Sequence, residues 1–526
     1  MNTKQQLPIG ISTLSEIINS HFLYIDKTEV IHRLITTNRR CFLSRPRRFG
    51  KSMLISTIKE IFLGNQGLFK NLWIGQEGRH AWVKHPVIHI DFSELDSATP
   101  ESLKEGLCLA LESIAHDYNT TLNAARSPDA KLSLLARHIA SITPAKLAIL
   151  IDEYDAPLLK HIDNPELAQT MRDVLSSFYA TIKALDPYIH FTFVTGVTKF
   201  AKTSLFSGAN NLNDISLETQ FSSLCGYTED EIHENLSTYI QEHAASKGTT
   251  PSTIIEEMRT WYNGYQFSYE RTKKIYNPYS VLLYLHKHQL ANYWFASGTP
   301  TFLIKLIQEN LYDFAHIDHS YADSNMLETF EANSIPLTTL LYQTGYLTIE
   351  KYSQEDRLYT LTYPNEEVRQ SLNHSLIKST LAIKTSTQVT ANSLRNALKT
   401  ENIPAFQSAL QSLFAHIPHQ LHVEREAFYH ALLQMICYIL GADIASEVSV
   451  STGRIDMIIH TQSTVYIFEL KLNQSADIAL SQIKERRYYE KYLTSTKKIL
   501  LVGLNFEYET KHITAEWEAV HSKNLL

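Results

Sequence analysis

Over about the first two hundred residues, short apolar runs alternate with stretches whose apolar residues recur at helical spacing. The runs are RCFLS (Arg40–Ser44), VIHIDF (Val87–Phe92), LAILID (Leu147–Asp152) and HFTFVTG (His190–Gly196). A strand apolar on both faces must be covered on both, and helices returning between such strands supply that cover. The pattern therefore predicts an α/β fold with a mostly parallel sheet and crossover helices near Met53–Leu63 and Glu101–Tyr118, the layout of a nucleotide-binding core.

At 526 residues the chain exceeds what one core can organise, and ~150 residues per domain gives about three or four domains. After Tyr227 the text changes to helical segments broken by aromatic turn clusters, WYNGYQF (Trp261–Phe267), YNPYS (Tyr276–Ser280) and YWFASGTP (Tyr293–Pro300). A polar span, Lys384–Glu401, is the best linker and leads helically through Ile417. The last hundred or so residues mix types again: a helix Glu424–Leu440, strands near Ile444–Val450, Arg454–His460 and Thr464–Lys471, a helix Ile478–Tyr492 and a strand Lys498–Leu504. The expected division is thus 1–226 for the sheet core, 227–383 for a helical middle region packed on it, 384–417 for a helical linker and 418–526 for a final α/β domain.

A net charge of −7 excludes a globally basic nucleic-acid coat, so any DNA or RNA contact must be local. No apolar stretch approaches the ~18 residues that span a bilayer, and MNTKQQLPIG lacks a secretory apolar core, so a cytoplasmic protein without membrane contact is expected. Cys41, Cys108, Cys225 and Cys437 lie far apart with no CxxC pair, which argues against a disulfide framework and a zinc ribbon.

RCFLS runs into Arg45-Pro46-Arg47-Arg48-Phe49-Gly50-Lys51-Ser52 and then the helical MLISTIKEIF. Phosphate binding in a strand–loop–helix asks for N–H groups at a helix N-terminus, a lysine for the β/γ-phosphates and a hydroxyl for Mg²⁺; Gly50, Lys51 and Ser52 supply them. Arg45 stands where GxxxxGK[ST] has its first glycine, and the tripeptide alone is equally an ordinary helix start with a solvated lysine. Between Glu29 and Glu60, however, no acid balances Arg33, Arg39, Arg40, Arg45, Arg47, Arg48, Lys51 and Lys59, and such a cluster calls for a polyanion. LAILID then ends in Asp152, placed to hold hydrated Mg²⁺, with Glu153 next to orient an attacking water; an acidic turn after a strand is the bland alternative. Thr195, at the end of a further strand, is set to sense the γ-phosphate or simply to shape a turn. The expected ATP contacts are Arg47, Arg48, Phe49, Gly50, Lys51, Ser52, Asp152 and Thr195, with Ser52 and Asp152 on the metal and Glu153 catalytic. Arg47 or Arg48 is also a candidate to reach a neighbouring subunit's nucleotide in a homo-oligomer.

FLYIDKTEVIHRLI (Phe22–Ile35), SRPRRFGKS, LIDEYDAP, FTFVTGVTKFAKTSLFSGANNLNDIS and WYNGYQF together resemble the bacterial AAA-ATPase-like family with an RPRRFGKS loop, over about Leu7–Tyr284. The resemblance implies a P-loop NTPase, often followed by a nuclease-like domain, in which Arg45 is the family's own form of the loop. It implies ATP binding more firmly than turnover.

In TVYIFELK the strand period of two places Val465, Ile467, Glu469 and Lys471 on one face. A neighbouring strand brings Asp456 beside Glu469, a hard-oxygen pair for Mg²⁺ or Mn²⁺, and Lys471 can assist the nucleophile. Gln482 begins a stripe with Arg486 and Tyr489, while Glu426 and Glu447 are rival sources of a further carboxylate. With its helix–strand–strand–strand–helix order, Asp456…Glu469-x-Lys471 resembles the PD-(D/E)XK nuclease superfamily over about Glu424–Leu504, which implies metal ligands Asp456 and Glu469 and catalytic Glu469, Lys471 and Gln482. A retained fold with a surface Glu–Lys pair is the alternative. From Gln420 onward 11 Lys and Arg face 13 Asp and Glu, so DNA affinity must come from a patch, with Lys484, Arg486, Arg487, Lys491, Lys497 and Lys498 the candidates.

The histidines lack metal spacing and neighbouring cysteines, and the aromatic clusters read as core. The expectation is an ATP-binding NTPase fused to a nuclease-like domain that acts on or guards against nucleic acid, in defence or in a mobile element. Its rival is an ATP switch whose last domain only binds nucleic acid or protein.

Overall fold

The computed structural model describes residues 4–162, 164–199, 212–268, 270, 273–296, 303, 317–324, 327, 336–380, 387–415, 424, 426–439, 443–450 and 453–520. The chain divides into two units, Met1–Gly298 with His319–Glu367, and Thr299–Asp318 with Val368–Leu526.

In the first unit each early apolar run is a strand: β1 (Arg40–Ser44), β2 (Val87–Asp91), β3 (Leu147–Asp152), β4 (Ile189–Gly196) and the short β5 (Asn213–Asp214). They form one sheet in the order β2-β3-β4-β1-β5 with every neighbouring pair parallel. β1 and β3 are buried at each residue, which is why they read as continuous apolar runs and not as alternation. The crossover helices Pro100–Asp117, Pro128–Ile142 and Pro165–Ala184 start on Thr99, Ser127 and Asn164, whose side chains accept from N3 amides, with proline in the first turn. Because β4 lies between β1 and β3, the loop after β1 and the acids after β3 flank the carboxyl end of β4, the edge where open α/β sheets bind ligands.

The helices Glu229–Lys247, Pro251–Tyr262 and Pro278–Lys287 follow, around a core containing Leu236, Tyr262, Tyr276 and Tyr284, so the aromatic clusters there are packing residues. Gly264 sits at φ 103, and a Cβ there would stand 1.7 Å from the carbonyl oxygen of Pro364, so the NG turn accepts only glycine. The middle region also contains an antiparallel sheet of β6 (Ser320–Asp323), β7 (Thr348–Ser353) and β8 (Leu358–Thr362) in the order β6-β8-β7. Its hairpin turns through Arg357 at φ 57, without the Asn-Gly or Asp-Gly that announces such turns.

The second unit is built on β9 (Asp443–Val450), β10 (Gly453–His460), β11 (Thr464–Leu472), β12 (Lys498–Phe506) and β13 (Ile513–Val520), ordered β13-β12-β11-β10-β9. β11 and β12 are parallel and the other neighbours antiparallel. The helix Ala476–Glu485 makes the crossover between β11 and β12 and packs on Val465, Ile467 and Leu501. It reaches the sheet at Gly503, where a Cβ would lie 2.3 Å from the carbonyl oxygen of Ala476. The helix stops at Glu485 with Arg487 at φ 53, so Arg486 and Tyr489 do not continue the expected stripe. The span read as linker contains helices Thr387–Lys399 and Ile403–Phe414. The second covers the opposite sheet face through Phe406 on Phe468 and Phe414 on Phe506, while Gln407 and Gln411 donate to the carbonyl oxygens of Ile513 and Lys511 at 2.7 Å. Among the described residues no helix is long and apolar enough to cross a membrane.

Candidate functional site

The loop Arg45–Gly50 joins β1 to the helix Lys51–Phe62 (α1). Gly50 caps α1 at φ 92 with no side-chain acceptor, leaving the first amides of the helix open to an anion. A Cβ at Gly50 would meet nothing within 4 Å, so the backbone angle, not crowding, requires glycine. Lys51 is 3% exposed, with Nζ 3.3 Å from the carbonyl oxygen of Pro46 and 3.2 Å from Glu153 Oε1. Burial pushes the Asp152 carboxyl up to about 6 against the opposing pull of the nearby Ser52 hydroxyl and Lys51. Glu153 holds φ 48, a strained angle for a non-glycine residue that turns the chain out of β3 toward Lys51. Lys51, Ser52, Asp152 and Glu153 are thus brought together.

Thr195 lies at the carboxyl end of β4, its hydroxyl buried without a partner. Sequence reasoning passed over Asp155, which is fully buried and accepts from the Val197 amide (3.1 Å), the Thr198 amide (2.6 Å) and the Thr198 hydroxyl (2.5 Å). Burial pushes its carboxyl up. A Cβ at Gly196 would lie 2.4 Å from Asp155 Oδ1, so the glycine after Thr195 was the available signal for this close approach.

The arginines are less uniformly aimed at an anion than their run of one sign implied. Arg40 pairs with Asp186, and Arg33 lies 3.9 Å from Glu29. Arg45 is 1% exposed and donates to the carbonyl oxygens of Ser44 (2.9 Å), Ser216 (2.7 Å) and Phe221 (3.2 Å) with its guanidinium 4.2 Å from the Phe267 ring centre. Arg48 lies 4.9 Å from the Tyr279 ring centre. Arg47, Arg48 and Phe49 do line a cleft of ≈ 500 Å³ that holds Gly50, Lys51 and Ser52 and extends past Tyr279.

In the second unit, Val465, Ile467 and Glu469 share the face of β11 that packs under the helix Ala476–Glu485. Gln482 on that helix donates to Glu469 Oε1, and Lys471 Nζ lies 3.1 Å from the same oxygen. Glu469 Oε2 is buried with no partner, in a side chain 2% exposed. Burial, with Asp456 and Glu426 adding repulsion, pushes this carboxyl up to about 7. Asp456 Oδ2 accepts from the Leu470 amide at 2.8 Å, and the backbone oxygen of Asp456 bonds His430 Nε2 at 2.8 Å from the helix Glu426–Ile439. Asp456, Glu469, Lys471 and Gln482 are therefore one cluster, with Glu426 near enough to bias two of its members. The side chain of Glu447 lies outside the described residues. Three of the six residues of the expected basic patch are in ion pairs: Lys484 with Glu518, Arg487 with Glu490 at 3.0 Å, and Lys498 with Glu401 at 2.5 Å. Among the described residues no three His, Cys, Asp or Glu side chains converge as a metal cage.

A family model described as Predicted AAA-ATPase matches residues 8–206, and one for the PD-(D/E)XK nuclease superfamily matches 424–516. A protein of Azotobacter chroococcum mcd 1, described as "Uncharacterized protein in vnfD 5'region", is 34% identical over 523 residues, covering 97% of this chain and 98% of that one. The solved structure of the Aeropyrum pernix ORC1 protein in complex with DNA aligns with 67% of this chain and 93% of that one at 10% identity, with a TM-score of 0.26 that carries no argument.

Proposed function

Since the chain belongs to the family of AAA-ATPase-like proteins that carry a PD-(D/E)XK nuclease superfamily domain, we propose that it binds and hydrolyses ATP with Mg²⁺ and cleaves nucleic-acid phosphodiesters. The observation that carries the ATP reading is the convergence of Lys51, Ser52, Asp152 and the uncapped start of α1 at one sheet edge. There the α1 amides and Lys51 take the β/γ-phosphate oxygens, and Ser52 and Asp152 are the residues to hold Mg²⁺, which supplies charge neutralisation. In binding phosphate, Lys51 exchanges its Glu153 partner for an anion, and Glu153 is released to orient water. Lys51→Ala is expected to reduce ATP affinity at least about a hundredfold by calorimetry; unchanged affinity refutes the loop assignment.

In the second unit the orphaned Glu469 Oε2 beside Asp456 suits a hard divalent cation, Mg²⁺ or Mn²⁺, which would supply a Lewis acid at phosphorus. Gln482 fixes the Glu469 carboxylate, and Lys471 is the donor available to a nucleophile or to a charged phosphorane. The substrate class is DNA or RNA in the cytoplasm, in a defence or mobile-element setting. Glu469→Gln and Lys471→Ala should each abolish Mn²⁺-dependent cleavage while leaving binding intact.

A second reading has its own support. Asp456 Oδ2 and Glu469 Oε1 are already occupied by donors of the chain, and Lys484 and Lys498 are paired with Glu518 and Glu401. This favours an ATP switch whose last domain binds nucleic acid or protein without cutting. Cleavage assays on single- and double-stranded DNA and RNA, with and without ATP and across divalent metals, separate the two.

A further inference from the structure

Resting on the ATP reading of Lys51, we propose that Arg45–Phe49 is a latch. Through it, nucleotide binding is felt by the aromatic region that grips the loop from residues 216–296 and 345, with Arg45 and Trp294 as positioning residues. Each member of the segment meets that region. Arg45 closes the carbonyls of Ser216 and Phe221 and rests on Phe267. Pro46 lies against Gly345, where a Cβ would stand 2.6 Å from the proline ring and which itself sits at φ 91. The carbonyl oxygen of Arg47 accepts from Trp294 Nε1 at 2.9 Å. Arg48 faces Tyr279. Phe49 packs edge-on to Tyr265 at 4.7 Å and to Phe267 at 5.4 Å, and its carbonyl oxygen accepts from the Gly226 amide at 3.0 Å.

Two angles make this grip consequential. Arg48 at φ 65 and Gly50 at φ 92 are both left-handed, and a non-glycine residue there persists only where surrounding contacts over-determine it. The Trp294 hydrogen bond falls on the carbonyl immediately before Arg48, and the Phe49 contacts fall immediately after it. The curve that presents the Gly50–Ser52 amides to phosphate is therefore set from outside the loop. Coupling is reciprocal: if the aromatic region fixes the loop for phosphate, phosphate fixes the loop for that region. The buried guanidinium of Arg45, spread over three carbonyls, has no freedom to follow a ligand, so it acts through the loop and not as a phosphate contact.

The test uses the full-length protein with Mg²⁺ and ATP. Hydrogen exchange is read with and without nucleotide in wild type, Trp294→Phe, Tyr279→Leu and the distal control Tyr188→Phe, which lies just before β4 at the opposite end of the sheet, alongside ATP titrations and melting curves. Wild type is expected to gain protection in peptides covering 219–227 and 261–296 on ATP addition. Trp294→Phe keeps a ring and loses one N–H donor, so ATP binding should weaken about fivefold and the ATP-dependent protection should shrink. Tyr279→Leu should act in the same direction and Tyr188→Phe on neither readout. A purely packing role lowers melting temperature alike with and without ATP and leaves the ATP-dependent difference intact, an outcome that overturns the proposal. So does wild-type binding with no change in exchange. Failure of wild type to bind ATP at all removes the ATP reading first, and the latch with it.

Discussion

Arg45 occupies a position that a phosphate loop of the GxxxxGK[ST] kind gives to glycine, and its environment explains the exchange. A guanidinium offers five donors, and this one makes three hydrogen bonds to carbonyl oxygens while its Nε stays buried without a partner. Arg45→Met removes those donors at near-constant length, so each carbonyl incurs its desolvation cost; a loss of about 3 kcal/mol in urea unfolding of the first unit is expected. A loss below about 1 kcal/mol would show that the carbonyls find other donors. Glu367 is a second residue whose role is set by burial. It is 1% exposed and accepts from the Ser280 hydroxyl at 2.8 Å and the Trp294 amide at 2.6 Å, yet burial outweighs these donors and pushes its carboxyl up to about 8. The folded state thus holds this proton more tightly than the unfolded chain, where the ordinary value is 4.5. Its stabilisation is complete below about pH 4.5 and is lost as pH rises toward 8. Melting temperature should fall by several degrees across that window in wild type, and Glu367→Gln should flatten the slope; equal slopes in both proteins count against the assignment. Neither role was legible in the sequence: a run of arginines shows charge but not which guanidinium turns inward, and Glu367 looks like any helix-start acid. The meeting of Lys51, Ser52 and Asp152 was legible, because a helix start after one strand and an acid ending another fall on the same sheet edge.

Elements were legible where burial on both faces left a strand no polar residue to blur it. RCFLS and LAILID coincide with β1 and β3, and TVYIFELK with all but the last residue of β11. β13 is not apparent in the sequence because ITAEWEAV is an edge strand with Glu516, Trp517 and Glu518 exposed in succession, which breaks the alternation of a half-buried strand. The helix Ala476–Glu485 was drawn too long because its stop is Arg487 at φ 53 and not the glycine that usually marks one. What locates this helix is Gly503 across the sheet. A methyl there would lie 2.3 Å from the Ala476 carbonyl oxygen and 2.6 Å from the Leu480 amide, backbone atoms that yield only if the helix lifts. Gly503→Ala should therefore cost about 2 kcal/mol and draw Gln482 away from Glu469. The carboxylate would lose a fixed partner, so any Mn²⁺ affinity measured by calorimetry should fall more than melting temperature alone accounts for. A variant that is less stable but binds Mn²⁺ unchanged would separate the helix position from the site.

At the scale of the chain, the aromatic turn clusters showed where the first sheet stops, but the polar text of 384–401 gave a false impression of a connector. Low apolar content marks either a linker or a helix with only one covered face, and the helix Thr387–Lys399 is of the second kind, followed by the more apolar helix Ile403–Phe414. They are bound into the final sheet: the Leu398 carbonyl oxygen accepts from Tyr466 at 2.5 Å, Glu401 from Thr464 at 2.6 Å, and Gln411 both donates to Lys511 and accepts from the Ile513 amide at 2.7 Å. A fragment beginning at 418, where the order of helices and strands first places the last domain, would strip Phe406 from Phe468 and Phe414 from Phe506 and leave the β13 end without its glutamine partners. A fragment 368–526 keeps all of these contacts. The longer fragment is expected to unfold in one cooperative urea transition, and the shorter to lose about 3 kcal/mol or more through two exposed aromatic contacts and unpaired backbone, with dye binding that reports open apolar surface. Equal stability of the two fragments would mean that the helices before 418 are covering and not structural, and would return the domain boundary to where the sequence put it.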